Sequence, residues 1–256
     1  MTKKSIAIVT GASSGMGIEF VKLLVKKTEL DEIWIIARSA DKLETVKNEL
    51  GSKIKCFPMD LSDMENIKNF GKNPKLETCN IKYLINNAGF AKFCSYDDLS
   101  VDESINMIDL NVSGVVAMGL VCIPYMEHGS HIINIASQAA FQPLPYQNIY
   151  SSTKAFVRNY TRALNVELKD KGIAATAVCP GWMKTGLIDK GLIGAKKATK
   201  NFAGMVTPDV VAKKAISDAD KGKDISVYSA YVKMCHLVAK ILPQKVMMKL
   251  WLIQQK

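Results

Sequence analysis

Tyr150 and Lys154 stand four residues apart in the run Tyr150-Ser151-Ser152-Thr153-Lys154, and Ser137 lies thirteen positions before the tyrosine. On a helix, positions i and i+4 share a face, so this spacing points a phenol and an ammonium to the same side. The pairing has a chemical use. A free tyrosine titrates near pH 10, and lowering it by about three units takes roughly 4 kcal/mol at 1.36 per unit. A nearby ammonium and a second cationic group in a partly dehydrated cleft could supply that. Tyr-x-x-x-Lys alone is a weak signal, because on many helices the tyrosine merely packs and the lysine is solvated. Its weight comes from what surrounds it.

A second constellation opens the chain. Thr10-Gly11-Ala12-Ser13-Ser14-Gly15-Met16-Gly17 follows a short apolar run, Ile6 to Thr10, and precedes a helix-period stretch with Ile18, Val21, Leu24 and Val25. Glycines there let the backbone turn sharply and approach a pyrophosphate seated at a helix N-terminus. The spacing G-x-x-x-G-x-G departs from the G-x-G-x-x-G dinucleotide fingerprint, so the strand–loop–helix context carries the reading. About 20 positions on, an NAD-binding chain usually places a carboxylate for the ribose 2′-hydroxyl. Here the neighbourhood reads Ile35-Ile36-Ala37-Arg38-Ser39. A guanidinium matches a 2′-phosphate bidentately, whereas a carboxylate would repel it. NADP is the expected cofactor.

The elements that must position these groups alternate strand and helix. Strands are expected at Ile6–Thr10, Ile33–Ala37, Ile54–Pro58, Ile81–Ile85, His131–Ala136 and Ile173–Val178. Helices are expected after the glycine loop, over about 40–50 (Leu43, Val46, Leu50), near 63–71, from Val101 to Met126, and from Ile149 to Lys169. Continuous apolar strands alternating with helices predict a parallel sheet covered on both faces. The crossover rule makes that a doubly wound, Rossmann-type α/β fold, and we read residues 1–256 as one such domain.

Two segments break the rhythm. Residues 182–206 hold four glycines and no clean period, as expected of a substrate loop or lid after a strand's carboxyl end. Thr207-Pro208-Asp209 then restarts regular structure, with Thr at the cap and Pro at the first helical position. Beyond residue 228 the chain is apolar and basic: Leu237, Val238, Ile241, Leu242, Val246, Met247, Leu250, Trp251 and Ile253 are interleaved with Lys233, Lys240, Lys245 and Lys249. Pro243 should divide this extension (229–256) into two short helices. Such a pattern could lie on an anionic membrane, but the expectation taken here is a lid on the pocket or a subunit contact in a homo-oligomer.

The formal net charge is +10, from 34 Lys and Arg against 24 Asp and Glu. The lysines occur in ones and twos without interleaved aromatics, so no nucleic-acid partner is expected. Six cysteines lie at 56, 79, 94, 122, 179 and 235 with no C-x-x-C pair, which suits reduced thiols in a cytoplasmic core. Cys122 with His128 and His131 is a faint zinc candidate, but a zinc site needs three or four convergent ligands, so no metal is expected. Ile6–Val9 is too short for a signal peptide's apolar region, and no stretch approaches the ~20 apolar residues of a membrane span.

Taken together, the motifs resemble the short-chain dehydrogenase/reductase family over about residues 5–228. They are the Thr10–Gly17 loop, Asp60-Leu61, Asn86-Asn87-Ala88-Gly89, Asn111, Ser137, Tyr150-x-x-x-Lys154, and Pro180-Gly181 with Thr185. The resemblance implies that Tyr150 is general acid in reduction and general base in oxidation. It implies that Lys154 lowers the tyrosine pKa and binds the nicotinamide ribose, that Ser137 polarises the substrate carbonyl, and that Asn111 supports a relay water. It further implies that Gly11, Ser13, Ser14, Gly15, Met16 and Gly17 hold the pyrophosphate, with Arg38 on a 2′-phosphate. Asp60 and Leu61 would flank the adenine, Asn87 with Ala88 and Gly89 the ribose, and Pro180, Gly181, Met183 and Thr185 the carboxamide end.

Substrate is less constrained, because a fold does not fix it. The segments 90–96, 138–147 and 182–205 carry Phe90, Phe93, Phe141, Leu144, Tyr146, Trp182, Leu187 and Ile188, enough for a wide apolar pocket. The chain resembles hydroxysteroid dehydrogenases, including those acting on bile acids, and 3-oxoacyl-carrier-protein reductases about equally. A carrier-protein partner would need basic residues at the mouth, which Lys184, Lys190, Lys196 and Lys197 could provide. The apolar lid and basic tail favour a bulky secondary alcohol or ketone such as a hydroxysteroid or bile acid, with general carbonyl reduction as another reading. A non-enzymatic NADP sensor or scaffold would predict loss of Tyr150, Lys154 or Ser137, and all three are present.

Overall fold

Seven parallel strands form the sheet of the computed structural model, which describes residues 3–194, 199 and 201–255. Their order is β3-β2-β1-β4-β5-β6-β7, with β1 at Lys4–Thr10, β2 at Glu32–Ala37, β3 at Ile54–Pro58, β4 at Cys79–Asn86, β5 at His131–Ile135, β6 at Ala174–Val178 and β7 at Ile225–Ser226. The chain runs outward from β1 to β3, then returns to the middle at β4. The switch falls between β1 and β4, where an open parallel sheet leaves a crevice at the strands' carboxyl ends. The strands are nearly continuous in Ile, Val and Ala because helices cover both faces.

On one face, α1 (Gly15–Leu24), α2 (Ala40–Leu50) and α8 (Pro208–Ala219) bury Phe20, Leu24, Leu43 and Val211 against Val9, Ile33, Ile35 and Ile133. On the other, α3 (Met64–Gly71), a helical run from residue 101 to 125, and α6 (Asn148–Glu167) bury Ile67, Met118, Cys122 and Leu164 against Ile8, Trp34, Ile81 and Ile132. At about 1.5–3 kcal/mol per fully buried large aliphatic side chain, these two layers dominate the fold's stability.

The 101–125 run is α4 (Val101–Ile108), a turn widened to i→i+5 bonding at Asp109–Ser113, and α5 (Gly114–Cys122) with a short tail. Contrary to the sequence expectation, it is long and apolar enough by composition to span a membrane. Met118 and Cys122 are fully buried in the sheet's core, and Asn111 enters the catalytic cleft, so it serves as a core helix.

Regular structure also appears where none was expected. The loop after β6 contains α7 (Gly186–Leu192), and β7 adds a two-residue edge strand. Pro243 divides the C-terminal extension into α9 (Ala230–Ile241) and α10 (Gln244–Gln254), as its missing N–H and fixed φ require. Among the described residues no metal-holding cluster of His, Cys, Asp and Glu occurs, and Cys122 is sealed in the core.

Candidate active site

β5 ends at Ile135, and Ser137 caps the short turn that follows, its Oγ accepting from Ala139 N at 3.1 Å. The loop then reverses through Tyr146, the only non-glycine residue with positive φ among those described (φ 65), and enters α6. A left-handed backbone at a bulky residue costs of order 1–3 kcal/mol and persists only where its surroundings hold it. Here it delivers Tyr150 and Lys154, on the first two turns of α6, under the carboxyl ends of β4 and β5. Both side chains are buried.

The Tyr150 phenol lies beside the Ser137 hydroxyl. Lys154 Nζ donates to Ile135 O at 2.8 Å and stands 5.9 Å from the Tyr150 ring centre. Burial pushes the Tyr150 phenol above its ordinary value, and the nearby Ser137 hydroxyl pulls it partly back. Burial lowers Lys154 to about 8. The lowering of Tyr150 expected from Lys154 is therefore absent from the protein by itself. The ammonium is engaged with a carbonyl, and desolvation of the phenol wins.

Asn111 reaches the same cleft from the widened turn of the 101–125 helix. Its Oδ1 accepts from Phe90 N at 3.0 Å, and its Nδ2 donates to Phe90 O at 2.9 Å and Thr153 Oγ1 at 3.2 Å. Both amide hydrogens are thus committed to protein partners. The side chain thereby clamps the β4 loop to α6. Gly89 lies between these groups: a Cβ there would come within 2.8 Å of Asn111 Oδ1 and 3.5 Å of Lys154 Nζ.

The glycine loop is held from behind. Thr10 Oγ1 accepts from Asn87 N and Ala88 N, each at 3.0 Å, while Asn87 Nδ2 donates to the carbonyls of Thr10 and Gly11 at 3.1 Å. Asn87 is thereby a brace of the loop as well as the ribose neighbour that the resemblance implies. Thr10 was not among the expected site residues; a hydroxyl at a strand end beside a glycine turn was the available signal. Gly11 N donates to Ile36 O at 2.8 Å, tying the loop to the end of β2.

The loop fits a dinucleotide pyrophosphate. Gly11 and Gly15 have φ of 64 and 55, and a Cβ on Gly17 would fall 2.2 Å from Gly11 O. Ser14, at the cap of α1, makes no side-chain capping bond, so the helix's first N–H groups remain available to an anion. Ser13 is half-buried and Ser14 exposed, while Met16 sinks its side chain into the core and offers only backbone. Thr185 caps α7 with its methyl 3.5 Å from where a Gly15 Cβ would sit, so the carboxamide-side residues close over the loop.

The other expected contacts divide. Arg38 stands exposed at the end of β2 with no carboxylate partner among the described residues. Asp60 caps its own turn, accepting from Ser62 N at 2.9 Å and Ser62 Oγ at 2.7 Å. Leu61 follows with its side chain in the core beside Ile8 and Ile36, so its backbone is what it offers to an adenine. Pro180 O accepts from Gln138 N at 2.8 Å, and Gly181 sits so close to Val232 that a Cβ would be 2.8 Å from it. Met183 bridges in parallel to Val206, closing the neck of the lid, and is partly buried in the core.

Over Tyr150 the expected wide pocket is replaced by a packed aromatic cluster. Phe93, fully buried, sets its ring edge-on to Tyr150 at 5.7 Å and to Trp182 at 5.4 Å. Phe90, Leu144, Leu187 and Trp251 join it, and Trp251 Nε1 donates to Pro145 O at 3.0 Å. Phe141 leaves the group; it stacks on His236 of α9 at 3.9 Å instead. Gln147 Nε2 donates to Thr199 Oγ1 at 2.7 Å, holding the lid to the start of α6. Lys184 and Lys190 are exposed on the lid, while Lys196 and Lys197 lie outside the described residues.

Comparison with known proteins agrees with this geometry. The short chain dehydrogenase family model matches residues 5–191. An uncharacterized oxidoreductase of Staphylococcus aureus (strain N315) is 34% identical over 185 residues, 71% of this chain and 79% of that protein. A serine dehydrogenase solved in closed form with NADP+ is 31% identical, with a TM-score of 0.71 over 81% of this chain and 86% of its own. A short-chain dehydrogenase from Sphingobium yanoikuyae in complex with NADPH has a TM-score of 0.80 at 23% identity over 95% of both chains. Another, from Burkholderia phymatum with NAD, has a TM-score of 0.78 at 20% identity over 94% of this chain and 95% of its own. The chain is an oxidoreductase with a nucleotide-binding Rossmann-type fold, and it belongs to the short-chain dehydrogenase/reductase family.

Proposed function

We propose that this chain interconverts a bulky, apolar secondary alcohol and its ketone with NADP(H), a hydroxysteroid or bile acid being the type of substrate intended. The observation that carries the reading is the placement of the buried Tyr150 phenol beside the Ser137 hydroxyl, at the floor of an apolar aromatic cluster. A ketone oxygen placed there accepts from both hydroxyls. As charge develops on that oxygen, Ser137 stabilises it and Tyr150 gives up its proton. Bound NADPH would supply the hydride for the carbonyl carbon. Lys154, beneath the phenol, is placed to reach a cofactor ribose.

Direction follows from the tyrosine. A phenol raised by burial stays protonated through neutral pH, which is the form that reduction requires. Oxidation needs the phenolate, so alcohol oxidation should rise with pH across 7–10 while ketone reduction does not; initial rates in both directions check this. Arg38, free of carboxylate partners, supports the 2′-phosphate and hence NADP over NAD. Substrate entry displaces Phe93 and Trp182 from Tyr150, which selects a large apolar body over a small polar one.

The unpaired cysteines fit a reducing compartment such as the cytoplasm. Exposed Ile105, Leu120, Phe156 and Val166, on the 101–125 helix and α6, fit a homo-oligomeric contact. NADPH oxidation, followed by absorbance, against steroid ketones with and without a carboxylate tail beside a short 3-oxoacyl thioester tests the substrate. Turnover of the steroids is expected; turnover of the thioester alone would overturn the reading.

A further inference from the structure

The C-terminal helix pair, α9 and α10, carries apolar residues on two sides. Its inner side packs on the domain through Val232 of α9 and through Met247 and Trp251 of α10. Its outer side is uncovered. On α9, Met234, Leu237 and Ile241 recur at intervals of three and four residues, and the last two are 58% and 70% exposed. On α10, Val246, Leu250 and Ile253 recur at four and three, with Ile253 64% exposed. Each set is one continuous stripe along its helix. Contiguous exposed apolar surface of this kind calls for a covering partner.

The charges around the stripes narrow the choice. Lys233, Lys240, Lys245 and Lys249 are all exposed beside them, and residues 229–256 contain no Asp or Glu. A second copy meeting this face about a twofold axis would set lysine rows opposite lysine rows, with no carboxylate in the helix pair to answer them. An anionic lipid surface answers both features: acyl chains take the aliphatic stripes, and headgroups take the ammonium groups. We propose that the helix pair α9 and α10 is a membrane-surface anchor, docking the enzyme on anionic bilayers without crossing them. The buried side of α10 places Trp251 in the aromatic cluster over Tyr150.

This proposal does not rest on the reaction assigned above, and its test reads binding alone. Full-length protein is sedimented with sucrose-loaded vesicles of phosphatidylcholine, with and without about one third phosphatidylglycerol. Sedimentation with the anionic vesicles is expected, weakened by salt, with little on the neutral ones. Leu237→Glu/Ile241→Glu, Leu250→Glu/Ile253→Glu and Lys240→Glu/Lys249→Glu should each lower the partition coefficient by about tenfold or more. All six positions are exposed, so NADPH binding and the thermal midpoint should stay as in the wild type, and each pair checks the other two. Failure to sediment with anionic vesicles, or sedimentation indifferent to all three pairs, overturns the proposal. So does a multimer in light scattering that Leu237→Glu/Ile241→Glu converts to monomer, because a second copy then covers the face.

Discussion

The glycine loop and the C-terminal helix pair flank the same cleft and are built in opposite ways. Around Gly11–Gly17 the backbone is fixed by contacts that admit no side chain, and by a brace of Thr10 and Asn87 that satisfies every neighbouring backbone group it reaches. The helix pair holds on by a few large side chains, Trp251 chief among them, and leaves its outer stripes bare. The difference teaches how work is divided. A pyrophosphate is a fixed shape that rewards a rigid cradle, whereas the bulky substrate proposed above would have to displace aromatic rings to reach Tyr150, which suits a side held by a few separable contacts.

Substitutions on the two sides should therefore fail differently. The largest effect is expected at Gly17→Val, where even the first added carbon meets Gly11 O at 2.2 Å. Backbone cannot yield that far, so NADPH binding should vanish and stability fall by about 3 kcal/mol or more, read by cofactor fluorescence and thermal melting. Trp251→Ala is next. It removes a buried indole and its bond to Pro145 O, but upstream of nothing in the cofactor cradle. We expect about a tenfold or greater rise in substrate KM, with NADPH affinity within about twofold of wild type. Equal loss of both affinities would break the comparison, since the two sides would then be one cooperative unit. The smallest effect is at Arg38→Asp: a charge-assisted bond worth roughly 1.5–3 kcal/mol is replaced by repulsion, so preference should move about tenfold or more from NADPH toward NADH. A wild type that already prefers NADH would contradict the reading of Arg38.

Much of this was legible in the sequence, and the exceptions share causes. The six long strands announced themselves because burial on both faces leaves almost unbroken runs of Ile, Val and Ala, as in Ile33–Ala37. Tyr150, Lys154, Ser137 and the glycines were legible because their chemistry dictates type and spacing together. What stayed hidden was set by tertiary contact. Gly186–Leu192 is a helix too short, with glycines at 186 and 191, to show a period, and its place is fixed by Phe93 N donating to Gly191 O at 2.9 Å. The widened turn at Asp109–Ser113 has no sequence signature; it is visible only as Asn111 reaching Phe90 and Thr153. Leu61 and Phe141 turned inward because hydrophobicity tells that a side chain is buried and not against what. The tuning of Tyr150 was hidden for a related reason: spacing shows that Lys154 shares its face, but not that Ile135 O holds the ammonium or that burial raises the phenol in the protein by itself.

The proton donor is the centre of the account, and one comparison tests it most directly. NADPH-dependent reduction of a steroid ketone is measured for wild type and Tyr150→Phe, alongside NADPH binding by fluorescence. The phenylalanine keeps the ring that packs against Phe93 and removes only the hydroxyl that faces Ser137. We predict unchanged NADPH binding and a fall in kcat of about two to four orders of magnitude, the range of positioned acid catalysis. A variant that binds NADPH normally and turns over within about tenfold of wild type would contradict the assignment.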